Sequence, residues 1–267
     1  MFNRNVFDNE LKLNQRGLIG FGIAMIATVV VFAGFTNLII DNQELADLLD
    51  SYPRSLLEAF NFDVESFSSF EGWMASEPYI FYMLLLAVFG SLQAANSISK
   101  ELDHKTGEFL FSQPISRRDL FYSKVVSGWA QLTLLFLISV GVALLVGHIV
   151  ADVQNPLGLF LLFLAGYLVS LGFAGIGYLL TSLFGSSRTA TSMGIGIVLG
   201  SFLLDAFSKV SDRVNWLGYF SLFHVYDARG ILRDVHLPML PSLLLIGVFV
   251  IGVLAGQLIF CRKDILY

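Results

Sequence analysis

The sequence predicts an all-α membrane protein with six transmembrane helices and with both termini in the cytoplasm. Hydrophobic residues make up 55% of the 267-residue chain and charged residues 14%, and the mean hydropathy is +0.72. These values exceed those of a soluble domain of this length. Six long runs contain no Asp, Glu, Lys or Arg. Such runs suit a bilayer, because a helix needs roughly 20 apolar residues to cross its hydrocarbon core.

The N-terminal segment, residues 2–16, combines an apolar stripe at helical spacing with a charged opposite face. Its apolar members are Phe2, Val6, Phe7, Leu11 and Leu13, and its charged members are Arg4, Asp8, Glu10, Lys12 and Arg16. This pattern predicts an interfacial helix in the cytoplasmic headgroup layer, with a disordered tail as the alternative. The run at residues 17–40 is too long for the core of a cleaved signal peptide, so we expect it to remain as the first span.

Residues 41–77 are predicted to form the first outer loop. They contain nine acidic residues and one basic residue, Arg54, whereas cytoplasmic loops carry the basic excess. Leucines recur at helical spacing on both sides of Pro53, which predicts two short amphipathic helices. We expect these helices to form a packed cap, with a substrate gate as the alternative. Residues 78–97 then form the second span.

Residues 98–124 form a polar segment between two spans, and we expect this segment to lie in the cytoplasm. Its basic residues are Lys100, Lys105, Arg117, Arg118 and Lys124, and basic residues in short loops mark the cytoplasmic side. Ser116 followed by Asp119 is typical of a helix N-terminus. The pattern therefore predicts a short helix, a turn at Pro114 and a new helix that begins near Arg117.

The remaining spans are predicted at residues 125–147, 156–184, 189–204 and 238–260. Small residues at four-residue intervals predict close contacts between helices in the last two of these spans. They are Ser192, Gly196 and Gly200 in the fifth span and Gly252 and Gly256 in the sixth. The outer loop at residues 205–237 mixes balanced charges with aromatic residues, which predicts short re-entrant or surface helices.

The distribution of basic residues supports this topology. Of the sixteen Lys and Arg residues, eleven fall in segments predicted to be cytoplasmic. Of the five in the outer loops, four lie at residues 205–237, where acidic residues match them. Six spans with both termini inside are therefore consistent with the positive-inside rule.

The segment 98–124 resembles the cytoplasmic coupling region of ABC-2 type transporter permeases. The residues that carry the resemblance are Glu101, Thr106-Gly107-Glu108, Pro114-Ile115-Ser116-Arg117 and Lys124. Phe109-Leu110-Phe111 stands where that family usually has two leucines. Ser221-Leu222-Phe223-His224 is similar to a sequence motif between the family's last two spans, with Leu222 in place of the usual proline. Further similar stretches are residues 52–60, Phe70-Glu71-Gly72 and the tail Arg262-Lys263-Asp264-Ile265.

The resemblance implies a single transmembrane permease domain over residues 1–267, with the fold of type V (ABC-2) exporters. The residues that it implies for coupling to an ATPase are Glu101, Lys105, Thr106, Gly107, Glu108, Pro114, Ser116 and Arg117. It also implies two nucleotide-binding ATPase subunits that hold ATP and Mg²⁺, and a second permease, either a copy of this chain or a sister protein. The implied location is the plasma membrane of a prokaryote.

The sequence contains no P-loop motif G-x-x-x-x-G-K-[ST] and no G-x-S-x-G or H-E-x-x-H motif. We therefore expect neither P-loop nucleotide binding nor catalysis by these motifs in this chain. Ion-coupled carriers usually place charged groups within their spans, and the spans here have none. An ion-coupled secondary transporter is thus disfavoured, and a membrane anchor or assembly protein remains a second alternative. His148 and Asp152 are interpreted as solvated loop residues, so no metal site is expected, and the sequence does not define a substrate.

Overall fold

The structure is a computed structural model that describes residues 3–39, 52, 69–103 and 116–262. In chain order its elements are α1 (Arg4–Gly34), α2 (Thr36–Ile39), α3 (Phe70–Met74), α4 (Glu77–Asn96), α5 (Ser99–Asp103), α6 (Arg117–Val150), α7 (Pro156–Leu183), α8 (Ser187–Ser208), two 3₁₀ helices (Asp212–Phe220 and Leu222–Val225), α9 (Ala228–Asp234) and α10 (Met239–Arg262). The described residues form no β-strand.

Six of these helices, α1, α4, α6, α7, α8 and α10, are long and apolar enough to cross a membrane. The prediction of an all-α membrane protein with six transmembrane helices is confirmed. Short helices also lie between the fifth and sixth spans, as predicted. The two helices predicted around Pro53 fall outside the described residues, and the orientation of the termini stays a prediction.

Several helices extend beyond their apolar runs. Helix α6 begins at Arg117 and ends at Val150, and α1 begins at Arg4 and continues without a break into the first span. An apolar run indicates only the part of a helix that lies in hydrocarbon, whereas capping side chains determine the residue at which the helix begins. The interfacial helix expected at residues 2–16 is thus the N-terminal part of the first spanning helix.

Helix α7 lies at the centre of the bundle and packs against α4, α6, α8 and α10. Close approach to two of these neighbours depends on glycine. A Cβ atom on Gly177 would lie 2.7 Å from the Ser91 carbonyl oxygen of α4, and one on Gly175 would lie 2.5 Å from the Cα atom of Phe249 in α10. The small residues of the fourth span therefore bring helix backbones into contact, as is common in lipid.

The hydrophobic interior has two parts. The larger part surrounds Tyr82, Phe163 and Leu86 in the middle of the bundle. A smaller cluster surrounds Phe121 at the start of α6 and includes Phe260 near the end of α10. The smaller cluster supports the end of the bundle at which α4 ends and α6 begins, where Glu101, Ser116 and Arg117 lie.

Candidate coupling site

Helix α5 follows α4 after a two-residue turn and is attached to the central helix. The hydroxyl oxygen of Thr181 in α7 accepts hydrogen bonds from the backbone N–H groups of Ile98 and Ser99, at 3.1 and 3.0 Å. The Ser97 and Ser99 hydroxyls donate to backbone carbonyls of α4, at 2.8 Å each. The backbone N–H groups at the start of a helix lack helical partners, and here the Thr181 side chain supplies one for Ser99.

A cluster of buried charges joins α5 to two transmembrane helices. The Glu10 carboxylate of α1 lies 2.7 Å from the ammonium nitrogen of Lys124 in α6 and also forms an ion pair with Lys100 of α5. The same Lys124 nitrogen lies 2.9 Å from a carboxylate oxygen of Glu101. Only 3% of the Glu10 side chain and 2% of the Lys124 side chain are exposed. We call these four residues the ion cluster.

Asn14 completes the hydrogen bonding of the ion cluster. Its amide nitrogen donates to a Glu10 carboxylate oxygen at 3.1 Å, and its amide oxygen accepts from Lys100 at 3.2 Å. Two formal positive charges face two formal negative charges, so the cluster is neutral as a whole. Burial lowers the pKa of the Lys100 ammonium, and the nearby Glu10 carboxylate opposes that effect. A buried charge is tolerated only when it is paired and hydrogen-bonded in this way.

The start of α6 is fixed by two further contacts. The Ser116 hydroxyl accepts a hydrogen bond from the Asp119 backbone N–H at 3.1 Å, which confirms the predicted helix start. The Ser123 hydroxyl accepts from the backbone N–H of Asn3 at 2.8 Å and so holds the N-terminus of α1 beside α6. Displacement of the α5 segment would therefore act on α1, α6 and α7 together.

The structure describes three of the predicted coupling residues. Glu101 belongs to the ion cluster, Ser116 caps α6, and Arg117 is the half-buried first residue of that helix. The other predicted coupling residues lie outside the described part of the chain. They are Lys105, Thr106, Gly107, Glu108 and Pro114.

The two predicted glycine stripes have different surroundings. A Cβ atom on Gly252 would lie 2.2 Å from the Gly175 carbonyl oxygen, and one on Gly256 would lie 2.5 Å from the Tyr178 carbonyl oxygen, so this stripe lies against α7. A Cβ atom on Gly196 or Gly200 would meet no atom of the described chain within 4 Å. Ser192 is exposed on the same helix, α8.

Sequence reasoning did not find the acid at the centre of the ion cluster. Glu10 was expected on the solvent-facing side of an interfacial helix, and the structure instead buries it. Its partners Lys100 and Lys124 lie 90 and 114 residues away. The one local signal is Asn14, one helical turn after Glu10, which supplies a second polar side chain on the same face.

Comparison with known families gives a match over almost the whole chain. The family model described as "ABC-2 family transporter protein" matches residues 5–265. All four residues of the ion cluster and the capped start of α6 lie inside the matched range. The comparison with curated proteins gives no match.

Proposed function

The chain belongs to the ABC-2 family of transporter proteins, and on that premise we propose that it is the membrane-spanning permease subunit of an exporter driven by a separate ATPase. The chain is a multi-pass membrane protein, and members of this family generally work with ATPase subunits. We propose two such subunits per complex, which would hold ATP and Mg²⁺, together with a second permease. The proposed location is the plasma membrane of a prokaryote.

The observation that carries the proposal is the ion cluster. ATP hydrolysis can drive transport only if a partner that pushes on α5 moves the transmembrane helices. A push that merely bent a flexible loop would have no such effect. The cluster and the Thr181 contacts attach α5 to α1, α6 and α7 within a few ångströms. These contacts give the segment the stiffness that mechanical coupling requires, since packed and hydrogen-bonded interfaces switch between arrangements instead of deforming continuously.

Site-specific photo-crosslinking tests the proposed partnership. A photoreactive amino acid at Lys105 or Arg118 is expected to capture a protein in cells that also binds a photoreactive ATP analogue. The matched control carries the same amino acid at Phe220, which is 71% exposed in the loop between α8 and α10, and should capture no ATP-binding protein. Failure of both cytoplasmic positions to capture an ATP-binding protein would contradict the proposal and favour a membrane anchor.

The proposed coupling role also predicts the effect of a charge reversal at Glu101. Reversal of its charge in Glu101→Lys places a third ammonium group in the ion cluster, and we expect ATP-dependent transport to fall while the ATPase subunits remain bound. The measurements are ATP-dependent transport by the reconstituted complex and the amount of ATPase subunit that co-purifies with the variant and with the unchanged chain. If the variant retains full ATP-dependent transport, Glu101 has no part in coupling.

A further inference from the structure

A cavity of about 810 Å³ lies at the end of the bundle opposite the ion cluster. Its walls come from the first turns of α4, the last turns of α8 and the chain between Phe223 and Arg229. Helix α4 has its first residue, Glu77, at this cavity and its last residue next to α5, so its 20 residues separate the two sites by about 30 Å. The volume falls within the range of about 300–1,000 Å³ that is typical of small-molecule sites.

Most of the cavity wall is apolar. Its apolar and aromatic lining residues include Tyr79, Met83, Leu84, Phe202, Phe223 and Tyr226. Three other lining residues are about half exposed, namely Phe81 (48%), Leu203 (51%) and Phe207 (56%). Large apolar side chains at the mouth of a cavity are stable where the mouth faces lipid hydrocarbon. The mouth is therefore suited to the entry of an apolar chain from the bilayer.

The charged groups of the cavity wall carry a negative excess. The Asp205 carboxylate, 8% exposed, lies 2.9 Å from the ammonium nitrogen of Lys209 and 3.0 Å from Nδ1 of His224. Glu77, Asp227 and Arg229 also line the cavity. Of the Asp, Glu, Lys and Arg residues that line the cavity, three are acidic and two are basic, which leaves one formal negative charge. A head group with a net negative charge is disfavoured here, and one that contains an ammonium group is favoured.

We propose that this cavity binds a single-chain amphiphile whose head group contains an ammonium group and has no net negative charge. The chain lies against the aromatic wall, where burial of apolar surface stabilises it. The ammonium group lies among the carboxylates and the faces of the aromatic rings, which attract cations. The site lies within one copy of the chain, and its occupation does not depend on the partner ATPase.

The test uses the full chain alone in nanodiscs made of phosphatidylglycerol. Trace photoreactive lysophosphatidylcholine, which is zwitterionic, is compared with photoreactive lysophosphatidylglycerol of the same chain, which is anionic. We expect the zwitterionic probe to label the protein roughly five- to tenfold more, because one opposed charge near a protein surface accounts for about that ratio. The cross-linked peptides should contain residues 77–84, 202–209 or 222–229. Equal labelling by the two probes, or labelling confined to other peptides, would overturn the proposal.

Two variants and one control locate the site. Ala206→Trp places an indole in the cavity and should lower labelling by the zwitterionic probe about tenfold. Leu199→Trp adds the same group to the same helix at an exposed position outside the cavity and should leave labelling unchanged. Glu77→Gln removes one carboxylate and should bring the two probes to within roughly twofold of each other. An equal decrease of labelling in Ala206→Trp and Leu199→Trp would mean that the probe binds outside the cavity. Because no ATPase is present, these outcomes are independent of the crosslinking test of coupling.

Discussion

Glu10 links the three elements of the ion cluster, because it lies on α1 and pairs with lysines of α5 and α6. Its two carboxylate oxygens contact lysines from two different elements, and its side chain is 3% exposed. Water therefore cannot replace a partner that is lost. A buried pair contributes little compared with two apolar residues of similar volume, whereas removal of one partner leaves a buried charge without compensation. The ion cluster thus specifies which surfaces of α1, α5 and α6 meet, rather than adding much net stability.

The variant Glu10→Gln should therefore destabilise the protein strongly. It leaves two buried ammonium groups near one carboxylate, and we expect the free energy of unfolding to fall by about 3–5 kcal/mol. Denaturation in mixed detergent micelles provides the measurement. The double variant Glu10→Gln with Lys124→Gln should recover part of the loss, because it restores the charge balance.

A matched control lies one half-turn earlier on α1. Asp8 forms a surface ion pair with Arg4 at 3.8 Å, and the two side chains are 51% and 87% exposed. Asp8→Asn should change the free energy of unfolding by less than about 1 kcal/mol. Comparable losses in Glu10→Gln and Asp8→Asn would show that the burial of Glu10 has no energetic consequence.

At the scale of elements, the contact between α7 and α10 depends on glycines that face each other. Gly175 and Gly252 lie so close that a Cβ atom on either would overlap backbone atoms of the other helix. Gly256 makes the same kind of contact one turn further on, against Tyr178. Close backbone approach gives van der Waals contact along the whole crossing, which drives helix association in lipid. An added side chain at this crossing has to push the helices apart.

Gly252→Leu should therefore separate α10 from α7 and lower the free energy of unfolding by roughly 1–3 kcal/mol or more. Gly247→Leu is the control on the same helix, because a Cβ atom there would meet no described atom within 4 Å. That control should be neutral or slightly stabilising, since leucine favours a helix more than glycine does. The free energy of unfolding of both variants is measured in mixed detergent micelles. Equal decreases in the two variants would rule out backbone contact at Gly252 as the cause.

The sequence predicts elements better than contacts. Each of the six spans follows from a run without charge, and Ser116 marked the start of α6 because a capping side chain acts within three residues. The spacing of Gly252 and Gly256 indicated a close contact but did not identify α7 as the partner. The spacing of Ser192, Gly196 and Gly200 is identical, and yet within the described residues the two glycines of that stripe have no close neighbour. Pairings over 100 residues, such as Glu10 with Lys124, depend on tertiary packing that no local pattern encodes.

At the scale of the whole molecule, the two proposed sites lie at opposite ends of the described bundle. The ion cluster lies at one end with α5, and the cavity proposed to bind an amphiphile lies at the other, with the central α7 passing between them. The coupling proposal requires the α5 end to face the cytoplasm, because ATP-dependent partners act from that side. The positive-inside distribution favours this orientation, since Arg117, Arg118 and Arg188 lie at that end.

Cysteine labelling in intact cells tests this orientation. In a Cys261→Ser background, Arg118→Cys is placed at the exposed start of α6 and Tyr219→Cys at a side chain that is 87% exposed at the opposite end. A membrane-impermeant maleimide should label Tyr219→Cys in intact cells and Arg118→Cys only after the membrane is permeabilised. The two positions control for each other, because each becomes the accessible site if the topology is inverted. The inverted result would place α5 out of reach of a cytoplasmic ATPase, and the proposed coupling function would fail with it.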